Sequence, residues 1–336
     1  MAVRLHVIKG LRAPEFEGGG PWINSEALKM KELRGSMVTV DFWTYSCVNC
    51  LRTLPYLKDW WKKYRDKGLV LVGVHTPEFD FEKDHENVER FCRENDVAWP
   101  VVLDNDYTIW NAYANSYWPR KYLVDKDGVI RYDHAGEGAY AETEIMIQQL
   151  LREVNPDVEL PTLEMEEHAH RMGAVCFPSS PELYCGYERG RIGNREGYHP
   201  GKVTDYKDPG SYAENHIYLN GLWKNNAESM RHARVTRNLE DHIAILYNGV
   251  EVNAVIRPAK GGQFMVYATV DGAQVPGSMA GEDIQIDQGQ SFLTVNEPRM
   301  YRVIKDRAYG AHVLRLASNS DEFEIYAYTF GGCLET

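Results

Sequence analysis

Cysteine, long apolar runs and clusters of positive charge are all scarce in this chain. Six cysteines in 336 residues are too few for a secreted scaffold built on disulfides. The longest apolar runs have the length of a strand, so no membrane span is predicted. The net charge is −12 and no run is rich in lysine and arginine, which argues against nucleic acid or an anionic membrane as a partner.

The first ten residues contain neither an apolar signal-peptide core nor a small-residue cleavage site. We therefore expect a cytoplasmic protein. A chain from which a leader or a membrane region had been removed would look the same, so an extracytoplasmic location stays open. The length allows two domains, and the apolar content of 43% is typical of globular proteins.

The most informative feature that is present is a cysteine pair, Cys47 and Cys50, with two residues between them. A buried strand is predicted over residues 37–43 and a helix from Cys47 onwards, so the pair lies at a strand-to-helix junction. Free N–H groups and the positive dipole end at a helix N-terminus favour a thiolate, which is the attacking species in disulfide exchange. The pattern indicates a redox-active dithiol.

Two other interpretations of the cysteine pair stay open. Half of a zinc site would need a second close pair of ligands, and the remaining cysteines form no second C-x-x-C: Cys92, Cys176, Cys185 and Cys333. A plain structural disulfide is the other alternative, although the start of a helix suits a reactive thiol better.

Strand and helix patterns alternate through the first half of the chain. An apolar run at 69–77 predicts a buried strand, and residues 82–95 and 140–154 carry the apolar spacing of helices. Asp127 and Gly128 between two short strands predict a hairpin. Helices between strands favour parallel pairing and the hairpin adds antiparallel strands, so we predict a mixed sheet flanked by helices.

Several motifs make this half resemble the thioredoxin superfamily. Residues 41–43 (DFW), followed after three residues by Cys47 and Cys50, match the superfamily's motif in spacing. Pro55 lies where members kink the active-site helix, and residues 118–119 (WP) precede a strand at the place of the family's cis-proline. An inserted strand and helix resemble the TlpA-like branch. The resemblance implies a thioredoxin-like α/β domain.

Four segments resemble, more closely, the soluble C-terminal region of DipZ-type proteins: residues 43–50 (WTYSCVNC), 104–106 (DND), 117–119 (YWP) and 136–144 (GEGAYAETE). This resemblance covers roughly residues 10–154. Between the cysteines the chain has Val-Asn where thioredoxin has Gly-Pro, which bears on the redox potential and leaves the chemistry unchanged.

The resemblance implies a role for four residues. Cys47 would be the nucleophile and Cys50 the resolving thiol. Asp41, which points inward beneath Cys50, would have a pKa raised by burial and would exchange the proton of the resolving thiol. A purely structural role for this carboxyl stays open. Pro119 would lie in a loop that faces the dithiol and lends backbone groups to an extended substrate.

Trp43 and Trp118 adjoin these motifs and are predicted to form an apolar platform for substrate beside the dithiol, with a place in the core as the alternative. We expect no cofactor and no metal beyond the redox-active disulfide of Cys47 and Cys50.

Residues 155–182 are predicted to be a linker between domains 1–154 and 183–333, since two prolines begin the segment. The run 166–170 (EEHAH) has metal-ligand chemistry, but a solvated helix face explains it as well. A local disulfide between Cys176 and Cys185 is conceivable, although a reducing cytosol disfavours it.

The second half has a different pattern, with alternating strands, turn glycines and no long amphipathic helix. We predict an all-β jelly-roll sandwich with strands at residues 242–249, 264–270, 291–295, 299–304, 312–316 and 322–330. Four segments resemble the carbohydrate-binding-like domain that follows the thioredoxin-like domain in DipZ proteins: residues 181–187, 221–223, 297–301 and 326–331.

That second resemblance implies a protein or glycan partner, for which the candidate aromatics are Trp223, Tyr301, Tyr326 and Tyr328. Strand aromatics mostly fill cores, so a scaffold or a protein-docking role is the stronger expectation. The membrane-spanning region of DipZ proteins is not in this sequence, so the electron donor is unidentified.

The sequence as a whole predicts a thiol–disulfide oxidoreductase that acts through a mixed disulfide on protein or small-molecule thiols. One alternative is a peroxiredoxin-like peroxidase, since Thr44 and Cys47 fit part of that motif, although Val40 stands where its proline is expected. The other is a binding protein whose β-domain does the work.

Overall fold

The computed structural model describes residues 10–163 and 175–334. Its contacts divide the chain into two compact units, with the division between residues 170 and 171. The predicted boundaries at 154 and 183 remain a proposal. The run at 166–170, with its proposed metal ligands, lies outside the described residues.

The first unit alternates strands and helices: β1 (Trp22–Ile23), β2 (Met37–Trp43), α1 (Val48–Tyr64), β3 (Leu69–His75), α2 (His85–Glu94), β4 (Val101–Leu103), α3 (Thr108–Ala112), β5 (Arg120–Val124), β6 (Ile130–Ala135) and α4 (Tyr140–Val154). Short 3₁₀ turns occupy Met30–Leu33, Arg65–Lys67 and Asp80–Lys83.

The six strands form one mixed sheet in the order β1-β4-β3-β2-β5-β6. β2 pairs in parallel with β3, and β3 with β4, while β5 and β6 run antiparallel as a hairpin. Every residue of β2 is buried, because apolar side chains cover both faces of this central strand. The predicted thioredoxin-like α/β fold is confirmed.

Helix α1 begins at Val48, one residue later than predicted, because Cys47 is its N-cap in extended conformation. Pro55 lies within the helix. The helix predicted over 82–95 is shorter, since Asp84 caps α2 with its side chain and the residues before it form a 3₁₀ turn.

The second unit contains strands and no helix between residues 175 and 334. These are β7 (Val175–Cys176), β8 (Leu183–Tyr184), β9 (Val203–Tyr206), β10 (Ile217–Asn225), β11 (Met230–His232), β12 (His242–Pro258), β13 (Phe264–Val270), β14 (Ala273–Gln274), β15 (Gln285–Asp287), β16 (Gln290–Val295), β17 (Arg299–Ala317), β18 (Phe323–Gly331) and β19 (Cys333–Leu334).

The predicted all-β architecture of this unit is confirmed. Two long strands join its layers into one eleven-stranded antiparallel sheet. β12 pairs with β10 through its first residues, with β18 through its later residues, and with β17 along most of its length. Register shifts after Gly249 and Val252 mark where the long β12–β17 ladder is irregular. A large apolar cluster fills the space that the sheet encloses.

A separate two-stranded ladder pairs β7 with β19, and a disulfide joins Cys176 to Cys333 across it. The pairing of Cys176 with Cys185, which the sequence left conceivable, is therefore not formed. Cys185 has no exposed surface, lies in the apolar cluster and remains a free thiol. The spacing of the cysteines along the chain did not predict that β7 pairs with β19, the last described strand of the unit.

Among residues 10–163 and 175–334, no helix has both the length and the apolar character needed to cross a membrane.

Candidate active site

The two cysteines of the C-x-x-C pair lie in different environments at the start of α1. Cys47 is the N-cap and is partly exposed, whereas the side chain of Cys50, one turn into the helix, is buried. The Cys50 backbone N–H donates to Cys47 Sγ at 3.4 Å. An accessible thiol therefore receives a helix N-terminal donor, and its partner is shielded behind it.

Asp41 lies in the middle of β2 and is 1% exposed. Its cross-strand partner on β5 is Lys121, which is also fully buried. Among the described residues, neither Asp41 Oδ1 nor Lys121 Nζ has a hydrogen-bond partner. The site thus holds a buried carboxyl and a buried amine side by side, near the buried thiol of Cys50.

Burial dominates the protonation of all three groups. It raises the pKa of Asp41 from 3.8 to about 7, with Lys121 opposing the shift. Burial lowers the pKa of Lys121, and the negative charges of Asp41 and Cys50 partly offset this lowering. It also raises the pKa of Cys50 well above that of a free thiol, and the neighbouring Cys47 adds to this effect. Asp41 can therefore gain or lose a proton near neutral pH.

The Trp118–Pro119 peptide bond is cis, and Pro119 is buried just before β5. The carbonyl oxygen of Trp118 lies 3.9 Å from Cys47 Sγ. The indole N–H of Trp118 donates to the carbonyl oxygen of Thr76 at 3.0 Å, and its ring packs on Trp110. This loop therefore places backbone beside the partly exposed thiol, while the half-buried Trp118 indole contacts Thr76 and Trp110.

Trp43 does not share that surface. It is 5% exposed and packs edge-on against His75, with Phe91 beside it. Of the two alternatives for Trp43, a substrate platform and a place in the core, its burial favours the core, because both faces of β2 are covered.

Three buried polar residues near the dithiol were not singled out from the sequence. Lys121 lies two residues after Pro119, His75 ends β3, and Glu82 lies in the 3₁₀ turn before α2. Lys121 carried a signal, since a lysine in a short apolar strand must find a partner if it faces inward. The other two carried none, because no local pattern connects them to Cys47.

Over residues 10–163 and 175–334, no group of three or more His, Cys, Asp and Glu side chains is arranged to hold a metal ion.

The four aromatic residues proposed for glycan binding are buried. Trp223, Tyr301 and Tyr328 are 0% exposed and belong to the apolar cluster, and Tyr326 is 3% exposed. Their burial agrees with the stronger expectation, that strand aromatics fill the core, and leaves these rings almost no exposed surface for a sugar.

Comparison with known families matches each unit separately. Residues 10–133 match the AhpC/TSA family, and residues 180–331 match a family described as thioredoxin like C-terminal domain. Protein DipZ of Mycobacterium bovis is 39% identical over 218 residues, which are 63% of this chain and 30% of DipZ. The chain therefore spans about a third of the length of that relative.

Two shorter proteins are similar to the first unit. The thiol-disulfide oxidoreductase YkuV of Bacillus subtilis is 29% identical over 42% of this chain and 94% of its own length. A solution structure of a thioredoxin-like protein in the oxidised form is 29% identical, covers 42% of this chain and 95% of that chain, and superposes with a TM-score of 0.39.

Proposed function

We propose that this member of the thioredoxin superfamily, a homologue of the DipZ proteins, exchanges thiols and disulfides through Cys47 and Cys50. Relatives of its first unit are named thiol-disulfide oxidoreductases. The observation that carries the proposal is the asymmetry of the pair: a partly exposed sulfur at the helix start has a buried thiol one turn behind it.

The first step is attack by Cys47. As a thiolate it displaces one sulfur of the substrate disulfide, so that a mixed disulfide forms and the other substrate sulfur leaves as a thiolate. The helix N-terminus, with the Cys50 N–H at 3.4 Å, stabilises the attacking charge. The backbone of Trp118 lies beside Cys47 and supports a role for the Pro119 loop in seating an extended substrate.

The second step needs a proton acceptor, because burial keeps Cys50 in its thiol form. Asp41, whose pKa is about 7, takes the proton. Cys50 then attacks Cys47, the Cys47–Cys50 disulfide forms, and the second substrate thiol is released. The substrate gains two electrons and the dithiol loses them. The same sequence in reverse oxidises a substrate dithiol.

The substrates that suit this site are protein or small-molecule disulfides and thiols, and the electron donor is unidentified. No cofactor takes part besides the cysteine pair. The second unit, residues 175–334 as described, is proposed as a scaffold or a docking surface for a protein partner.

Thiol peroxidase activity is a second candidate, which the match to the AhpC/TSA family favours. The contacts of Thr44 weigh against it, since its hydroxyl lies 3.3 Å from His75 Nε2 and its side chain is fully buried. A peroxide molecule would have to displace that contact to reach both Thr44 and Cys47.

Insulin reduction with dithiothreitol tests the proposal, with peroxide consumption measured in parallel. Cys47→Ser should abolish insulin reduction. The matched control is Cys92→Ala, which removes a buried thiol from α2. Activity that survives Cys47→Ser would overturn the proposal. Peroxide turnover that exceeds disulfide turnover would replace it with the peroxidase.

A further inference from the structure

The loop between β2 and α1 decides where Cys47 lies. Residues 44–46 have no strand or helix pairing of their own, and the Cys47 N–H reaches back to the carbonyl oxygen of Thr44 at 3.4 Å. A reactive sulfur must be held within a fraction of an ångström of its productive position, so something else has to fix this loop.

The fully buried side chain of Glu82 accepts four hydrogen bonds from Ser46, Glu78 and Phe79, and the Thr44 side chain is a further hydrogen-bond partner. Its Oε1 accepts from Ser46 twice, from the hydroxyl at 2.6 Å and from the backbone N–H at 3.3 Å. Its Oε2 accepts from the backbone N–H groups of Glu78 at 2.6 Å and Phe79 at 3.0 Å. One carboxyl group thus connects the segment after β3 to the residue that precedes Cys47.

We propose that Glu82 is a positioning residue that holds Ser46 and thereby sets Cys47 at the start of α1. The inference rests on the proposed exchange function of Cys47. Among the described residues, the hydrogen-bond partners of Glu82 include neither cysteine, so its effect on exchange passes through the loop, by way of Ser46 and Thr44.

The chemistry of the carboxyl explains why a glutamate is needed here. Four donors point at two oxygens, and two oxygens that both accept are what a carboxylate offers. Burial raises the pKa of Glu82 to about 7, while hydrogen bonds from Ser46, Thr44 and Phe79 oppose that shift, so the carboxylate with its two accepting oxygens predominates above pH 7. A glutamine would keep one accepting oxygen and turn an NH₂ group towards N–H donors. Glu82→Gln therefore breaks one side of the connection and keeps the size of the side chain.

The same loop has a second support at its other end. The Thr44 hydroxyl lies 3.3 Å from His75 Nε2, and burial lowers the pKa of His75 to about 3, so this ring is neutral. Both supports come from the end of β3 and the turn that follows it. The loop before Cys47 is therefore held from one side, and Ser46, which is next to Cys47, is held by Glu82.

The first test compares two serine substitutions in the full chain. Ser46→Ala removes the hydroxyl that Glu82 accepts. Ser25→Ala is the control, because its hydroxyl oxygen is buried without a hydrogen-bond partner among the described residues. We expect Ser46→Ala to lower kcat for insulin reduction roughly tenfold to a hundredfold and to leave KM near that of the wild type. Ser25→Ala should change neither.

A double-variant cycle tests whether Glu82 acts through Ser46. The rate of Cys47 alkylation by iodoacetamide should fall in Ser46→Ala and in Glu82→Gln, and the double variant should be no slower than Glu82→Gln alone. If the factors by which Ser46→Ala and Glu82→Gln slow alkylation multiply in the double variant, the proposal is overturned. A Ser46→Ala variant that behaves like Ser25→Ala would also overturn it. If Glu82→Gln does not fold, the two serine variants decide the question by themselves.

Failure of the proposed function looks different. A wild-type chain that does not reduce insulin overturns that function. An active wild type with an equally active Ser46→Ala variant overturns the positioning role alone.

Discussion

Replacing the buried carboxyl of Asp41 should make the first unit more stable and less active at the same time. Burial raises the pKa of Asp41 from 3.8 to about 7, so ionising this group costs more free energy in the folded chain than in the unfolded chain. Asp41→Asn keeps the shape of the side chain and removes the charge. The carboxyl is also the proposed proton acceptor for Cys50, so the same change should slow disulfide exchange.

The sign and size of the stability effect follow from the two pKa values. Between pH 3.8 and about 7 the folded chain keeps a proton that the unfolded chain has lost, so stability falls as the pH rises through this range. Three pH units at about 1.4 kcal/mol each give an upper limit of about 4 kcal/mol above pH 7. The pKa of about 7 already includes the attraction between Asp41 and Lys121, so nothing further is subtracted for it. We expect the variant to gain up to about 4 kcal/mol at pH 8 and almost nothing near pH 4.

Urea unfolding at pH 4, 6 and 8 measures this difference, and insulin reduction at pH 8 measures the activity. General acid–base help is worth about 10²- to 10⁴-fold, so the variant should lose up to that factor. Asp66→Asn is the control, because the Asp66 side chain is 87% exposed. A variant that is equally destabilised at pH 4 and pH 8 would refute the reasoning, since it would show no cost of ionising Asp41. Unchanged exchange rates would reduce Asp41 to a structural residue.

Three further predictions address other parts of the chain. Iodoacetamide should label Cys47 before Cys50, which is 5% exposed, and peptide mapping that shows the reverse order would contradict the assigned roles. A chain ending at residue 163 should fold and reduce insulin, since the dithiol, Asp41 and the Pro119 loop all precede that point; an inert fragment would show that the second unit completes the site. Substituting both Cys176 and Cys333 by serine should lower the unfolding free energy of the second unit by about 5 kcal/mol, from the chain entropy of a bridge spanning 157 residues, and leave insulin reduction unchanged; denaturant titration with and without reductant measures the loss.

The α/β half of the fold could be predicted because local patterns and pairing rules agree there. Residues 37–43 and 140–154 have the bounds that their apolar spacing predicts. The errors are at element ends, where a side-chain cap decides the boundary. Asp84 ends the 3₁₀ turn and starts α2, so the helix does not extend back to residue 82.

The β half was predicted in type but not in connectivity. Residues 299–304 and 312–316 were expected as two strands, and the structure joins them in β17. The connecting residues 305–311 are mostly exposed and include charged and glycine residues that resemble a turn. They remain extended because β12 pairs on both sides of them. Such pairing between distant segments leaves no local sequence signal.

The same limit applies to the candidate site. Asp41, Cys47 and Cys50 lie close together along the chain, so one motif was enough to select them. Lys121 and Glu82 reach the site through strand register and a tertiary turn. Register decides that Lys121 lies opposite Asp41, and a shift of one residue would have turned it to the other face.

The bridge between β7 and β19 makes the second unit a closed covalent ring. Cys176 and Cys333 lie in the first and last strands of its described part. A pulling force applied at the two ends of this unit would pass through the sulfur atoms, and the sheet between them would carry almost none of it. Once the bridge is reduced, about 500 Å of chain becomes available for extension. The extensibility of the second unit therefore depends on whether this bridge is oxidised or reduced.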